Sequence, residues 1–145
     1  LHDVAKPDAD DTAHFELRLP ARPENVAVVR HAFGGLGEAV DLSDQTLADI
    51  KLAVTEACTN VVVHAYPAGE GPLIVHADVD PGAHLLTVVV SDEGRGIVPR
   101  ADSPGLGLGL PLIATLADSL ELDSPEDGPT EVRMTFTLNG TGPGA

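Results

Sequence analysis

A two-layer α+β sandwich, with helices on one face of a mixed, mostly antiparallel sheet, is the architecture that the patterning predicts. Three observations point to it. Segments 14–19, 73–80, 85–91 and 131–138 are short and either alternate or run apolar, as strands do, while two other segments repeat at helical period. Pro81-Gly82 joins two of the strand patterns through a turn suited to an antiparallel hairpin. The order is a strand, then helices, then hairpins, which segregates helices from sheet.

Residues 1–12 are acidic and contain Pro7, so a flexible lead-in is expected before a single domain at 13–138. Phe15, Leu17 and Leu19 alternate with Glu16 and Arg18, giving a first strand with one buried face. Pro20 and Pro23 end it, and Pro23 suits the first turn of a helix that starts near Glu24. Val26, Val29 and Phe33 form the inner face of that helix and leave Arg30 outside; Gly34-Gly35 is expected to end it. Ser43 and Asp44 signal the start of a long helix over 43–66, stopped at Tyr66-Pro67. Leu73, Val75, Ala77 and Val79 then alternate with Ile74, His76 and Asp78. The run 85–91 is apolar at nearly every position, which predicts a strand at the centre of the sheet. Two glycine-rich segments, 92–96 and 105–110, flank an irregular connection at 97–104. Pro111 opens another helix, with Leu112, Ile113, Leu116 and Leu120 at helical spacing. A strand near 120–123, a turn at 125–128 and a last strand at 131–138 complete the domain, and the Gly-rich tail 139–145 is expected to be loose.

A chain of 145 residues can bury a core without disulfides, and with three Phe, one Tyr and no Trp that core must be aliphatic. The net charge of -15, with eight Lys and Arg scattered singly, excludes unassisted nucleic-acid binding, which needs a basic stripe. An anionic ligand would have to be held by backbone amides and a metal. No run approaches ~20 apolar residues, so no membrane span is expected. The first residues lack the basic-then-apolar character of a secretion signal, and a cytoplasmic location is expected. Cys58 has no second cysteine for a disulfide or a CxxC metal site and is expected to be a packed small residue.

The richest chemistry lies in 43–66. Leu47, Ile50, Val54, Ala57 and Val61 form its apolar stripe, while Glu56, Asn60 and His64 recur every fourth residue, about 40° apart per step around an α-helix. A carboxamide oxygen is a hard ligand for hydrated magnesium, and a carboxylate one turn away can accept a proton or orient a water. Alone, the pair reads equally as a solvated helix face. Gly105, Gly107 and Gly109 form a GxGxG loop ahead of a helix, where the backbone can approach a phosphate closely. The spacing is neither the dinucleotide GxGxxG nor a P-loop ending in Gly-Lys-Ser/Thr, and a bare turn is the alternative. Asp92 ends an apolar strand beside Gly94 and Gly96. Its carboxylate could accept from an exocyclic amine, favouring adenine over guanine, or could bond its own backbone in a turn. Glu93 is expected to be solvated.

Together these segments resemble a known family. Glu56-x-x-x-Asn60-x-x-x-His64-Ala65-Tyr66, Asp92-Glu93-Gly94-Arg95-Gly96, Gly105-Leu106-Gly107-Leu108-Gly109 and Gly128-Pro129-Thr130 are similar to the N, G1, G2 and G3 boxes of the Bergerat-fold (GHKL) ATPases and kinases. The small size and the His-Ala-Tyr ending are most similar to the anti-sigma factor serine/threonine kinases. The resemblance implies a Bergerat ATP-binding fold with ATP and Mg2+ as cofactors. It implies Glu56 as the general base and Asn60 as the magnesium ligand. Asp92 would bind the adenine amine, Gly94 and Gly96 would shape the pocket, and Thr130 would close its adenine side. Gly105, Gly107, Leu108 and Gly109 would meet the phosphates. His64 either contacts nucleotide or ends the helix.

The implied activity is that of an anti-sigma factor that sequesters a sigma factor and phosphorylates an anti-anti-sigma protein, with a homodimer possible. The short connection at 97–104, with Arg100 its one basic residue, motivates a rival: a nucleotide-responsive binding module with little or no kinase activity, holding its partner through the first helix near Arg30. A histidine-kinase catalytic domain fits less well, because His2, His14 and His31 lie in no long dimerisation helix.

Overall fold

The computed structural model describes residues 13–67, 69–94, 109–124 and 129–138. Five strands, β1 (His14–Pro20), β2 (Pro72–Asp80), β3 (Leu85–Asp92), β4 (Ser119–Asp123) and β5 (Thr130–Thr137), form one sheet in the order β1-β2-β3-β5-β4. Every pairing is antiparallel. Helices α1 (Pro23–Ala39), α2 (Asp44–Asn60) and α3 (Leu110–Leu116) stand on one face of it. The predicted sandwich is therefore present, and β3, the most continuously apolar strand, is central. Among the described residues no helix is long and apolar enough to cross a membrane.

Alternation decides which face each strand buries. Leu73, Val75, Ala77 and Val79 of β2, Leu86, Val88 and Val90 of β3, and Val132, Met134 and Phe136 of β5 all point to the helices. Val29, Phe33, Ile50, Val54 and Ala57 meet them from the helical layer. Among the described residues the aromatic contact is one edge-on pair, Phe15 to Phe33, with ring centroids 5.0 Å apart at 71°.

Two helix boundaries differ from the sequence expectation. First, α1 does not end at Gly34-Gly35 but runs to Ala39. Tertiary contact is the reason: a Cβ added at Gly37 would fall 2.8 Å from Leu47 Cδ2, so glycine lets α1 and α2 come together there. Second, the helix begun at Asp44, capped by the Ser43 hydroxyl accepting from Thr46 N–H at 3.1 Å, is α-helical only to Asn60. Val61–Ala65 form a π-helical turn instead. The i→i+5 pattern changes which residue follows Asn60 inward. Ala65 is buried, and His64 is exposed. Leu120, grouped with the third helix by spacing, belongs to β4, because α3 stops at Leu116.

Candidate active site

The floor of the site is a row of residues across the sheet. Asp92 lies opposite Leu73 of β2 on one side and opposite Thr130 of β5 on the other. The alternation that buries Val88 and Val90 also turns Asp92 toward the helices, and Thr130 shares its face with Val132. Asp92 is 1% exposed and Thr130 2%. Thr130 Oγ1 and Ser124 Oγ share a hydrogen bond at 3.1 Å. Asp92 Oδ1 accepts from Gly94 N–H at 2.9 Å, so the aspartate does bond its own turn. Among the described residues, no other group donates to this carboxylate. Burial pushes the Asp92 carboxyl above its ordinary range, and the Gly94 N–H partly opposes that shift.

The end of α2 forms one wall. Glu56 is half-buried, and Asn60 is 2% exposed at the last position of the helix. The second glycine loop ends against this wall. Gly109 has φ of 69°, a conformation that costs a residue with a side chain about 1–2 kcal/mol. An added Cβ there would lie 2.5 Å from Glu56 Oε2. Glycine is thus required at 109 both by its backbone and by the closeness of the carboxylate.

Past the π-helical turn the chain meets the first glycine loop. An added Cβ at Gly94 would strike the Ala65 carbonyl oxygen and come within 2.6 Å of the Tyr66 ring. The Tyr66 hydroxyl donates to the Pro72 carbonyl at 2.5 Å and accepts from Glu93 N–H at 2.9 Å. Burial, helped by the charges of Asp92 and Glu93, pushes its phenol above the ordinary range. Glu93 is exposed, as expected, and pairs with Arg18 of β1 at 3.2 Å; both are more than half exposed, so this bridge adds little stability.

Three stretches distant in sequence therefore converge. Glu56 meets Gly109, Gly94 meets Ala65, and Asp92 faces Thr130. His64 is on the exposed side of the turn that follows Asn60. Gly96, Gly105, Gly107 and Leu108, the connection at 97–104 and Gly128 lie outside the described residues. Sequence reasoning gave Tyr66 no role beyond ending the helix. Its signal was available: it is the only tyrosine in a chain poor in aromatics, placed where a helix stops beside glycines.

A buried carboxylate, a buried carboxamide, a half-buried glutamate and side-chain-free loop ends are what these segments offer a ligand. Residues 19–136 match the model of the histidine kinase-like ATPase domain, and the chain belongs to that family. Within it, the serine-protein kinase RsbW of Bacillus licheniformis is 32% identical over 142 residues, covering 87% of this chain and 86% of that protein. The RsbW of Bacillus subtilis is 33% identical over 143 residues, with 88% and 87% covered. The anti-sigma F factor of Caldanaerobacter subterraneus is 30% identical over 132 residues, with 83% and 91% covered. In solved structures the fold recurs in the RsbU and RsbW domains of a Mycobacterium tuberculosis protein, with a TM-score of 0.70 at 20% identity. That match covers 87% of this chain and 32% of the longer one. The resemblance read from the four boxes is borne out, and the class of activity is that of an ATP-dependent serine/threonine protein kinase.

Proposed function

We propose that this chain is a cytoplasmic anti-sigma factor with serine/threonine kinase activity, binding Mg-ATP between the end of α2 and the Asp92-Thr130 row. In this reading it sequesters a sigma factor and phosphorylates an anti-anti-sigma protein. The observation that carries it is the seating of Gly109 on Glu56, which brings a side-chain-free position ahead of α3 against a carboxylate suited to be a base.

The residues fit the cofactors. Among the described residues no three His, Cys, Asp or Glu are grouped to hold a metal. Magnesium would enter with the nucleotide, held by Asn60 and the phosphates, and when bound it supplies charge neutralisation. Asp92 Oδ2 accepts the adenine amine, and Thr130 closes that side. Gly94 and Gly109 let backbone approach where a side chain would collide, and the family resemblance assigns Gly96, Gly105, Gly107 and Leu108 to the same binding role. Glu56 takes the proton of the acceptor hydroxyl, a role worth about 10²–10⁴ in rate. His64 is exposed on the π-helical turn, and its contact with nucleotide is part of this proposal.

The test is transfer from labelled ATP to a candidate anti-anti-sigma protein, compared with Glu56→Gln, alongside titration with ATP and GTP. Phosphoserine or phosphothreonine on the acceptor, lost in the variant, supports the kinase. ATP binding without any phosphoprotein would leave the rival reading, a nucleotide-responsive binding module. Light scattering checks the homodimer that the family resemblance implies.

A further inference from the structure

The nucleotide site has two halves carried on different elements: Glu56 and Asn60 at the end of α2, and Asp92 at the end of β3. Backbone pairing cannot tie a helix to a sheet, so their relative position must be set by side chains. Besides the core packing of α2 on β3, Tyr66 makes such a connection next to Asp92. It follows the π-helical turn that extends α2, and its hydroxyl sits between two backbones. It donates to Pro72, the first residue of β2, and accepts from Glu93, the residue after Asp92. Its ring fills the space left by two glycines, Gly71 and Gly94, where an added Cβ would collide with ring carbons. The next N–H along, that of Gly94, is held by Asp92 Oδ1. Two successive amides of this loop are therefore fixed, one by Tyr66 and one by Asp92 itself.

We infer that Tyr66 is a positioning residue for nucleotide selectivity, a tie between the α2 wall and the first glycine loop that aims Asp92 Oδ2 at the exocyclic amine. The inference rests on the nucleotide reading of the site. Tyr66 touches no reacting atom; it acts through the backbone of Glu93 and Gly94. With the hydroxyl gone, Glu93 N–H turns to water, the turn that Asp92 closes loosens, and the carboxylate loses its fixed direction. Binding energy from the phosphates is left in place, because Glu56 and Gly109 do not depend on the tie.

The measurement is a ratio: affinity for Mg-ATP over affinity for the triphosphate of purine riboside, which lacks the amine. A ratio taken on one sample does not change with the fraction of protein folded, so a stability loss cannot imitate the effect. Wild type is expected to prefer ATP by about tenfold or more, the value of one well-made hydrogen bond to a charged group. Tyr66→Phe, which keeps the ring between the two glycines, should reduce that preference to about twofold or less while changing affinity for the purine riboside nucleotide little. Arg18→Met, which removes the other contact to Glu93, should keep the wild-type ratio. If Tyr66→Phe retains the full preference, Tyr66 does not aim Asp92 and the inference is overturned with the nucleotide reading intact. If wild type binds Mg-ATP but shows no preference for it over the purine riboside nucleotide, the role of Asp92 fails and the inference with it.

Discussion

Asp92 and Thr130, 38 positions apart by their numbers, face each other across β3 and β5, both buried on the side of the sheet that carries the helices. A buried carboxylate opposite a buried hydroxyl is costly in a sheet otherwise lined with Val, Leu and Phe. The cost is explained if a ligand donates to the Asp92 carboxylate.

Replacing Asp92 with Asn tests that cost. Burial raises the carboxyl's pKa, so in the apo protein the unfolded state ionises first, and stability falls as pH rises through the ordinary carboxylate range, about 4. Asp92→Asn should therefore melt higher than wild type near neutral pH, with the gain disappearing below about pH 4. Its new amide N–H would confront the adenine amine, and ATP affinity should fall at least tenfold. Denaturation across pH and calorimetric titration check both halves; a variant less stable at pH 7 and undiminished in ATP binding contradicts them.

The contact between Glu56 and Gly109 makes separable predictions. Glu56→Gln keeps shape and hydrogen bonding, so nucleotide affinity should stay within about twofold while phosphotransfer drops about 10²-fold or more. Gly109→Ala forces a side chain into a positive-φ position and onto the Glu56 carboxylate. It should cost about 1–2 kcal/mol of stability and weaken both binding and transfer. Single-turnover kinetics with an acceptor protein, beside urea titration, distinguishes loss of chemistry from loss of binding.

Asp41 predicts a stabilising substitution away from the site. It closes the end of α1 with φ of 60°, and the following Leu42 N–H bonds back to the Gly37 carbonyl at 3.0 Å. A left-handed residue here suits glycine, and a carboxylate at the negative end of a helix dipole is unfavourable. Asp41→Gly should add about 0.5–1 kcal/mol and raise Tm by about 2–4 °C. A lower melting temperature would show that the Asp41 side chain contributes something the backbone analysis lacks.

Cys58 should be inert in the folded protein. It is fully buried, and burial pushes its thiol up to about 12. The unfolded thiol ionises at lower pH, so this group withdraws stability as pH rises through about 9. Labelling by a maleimide at pH 8 should follow the opening of the protein and accelerate steeply in urea. Rapid labelling in native buffer is the contrary result.

Much of this protein is determined by its sequence alone. Period-two alternation in β1, β2 and β5 dictates which face enters the core, and the largely apolar run of β3 puts that strand at the centre of the sheet. The four boxes, each a short local pattern, were sufficient to place the chain in its family. What tertiary structure decided was everything that depends on contact between distant segments. Gly34-Gly35 carries a helix-breaking preference worth about 1 kcal/mol per residue, which packing of α1 on α2 overrides. The π-helical turn that separates His64 from Asn60 has no signature in spacing, because the same residues satisfy an α pattern. The role of Tyr66 exists only once nearby Gly71 and distant Gly94 close around its ring, since a hydroxyl has no preferred partner until the fold brings two backbones within its reach.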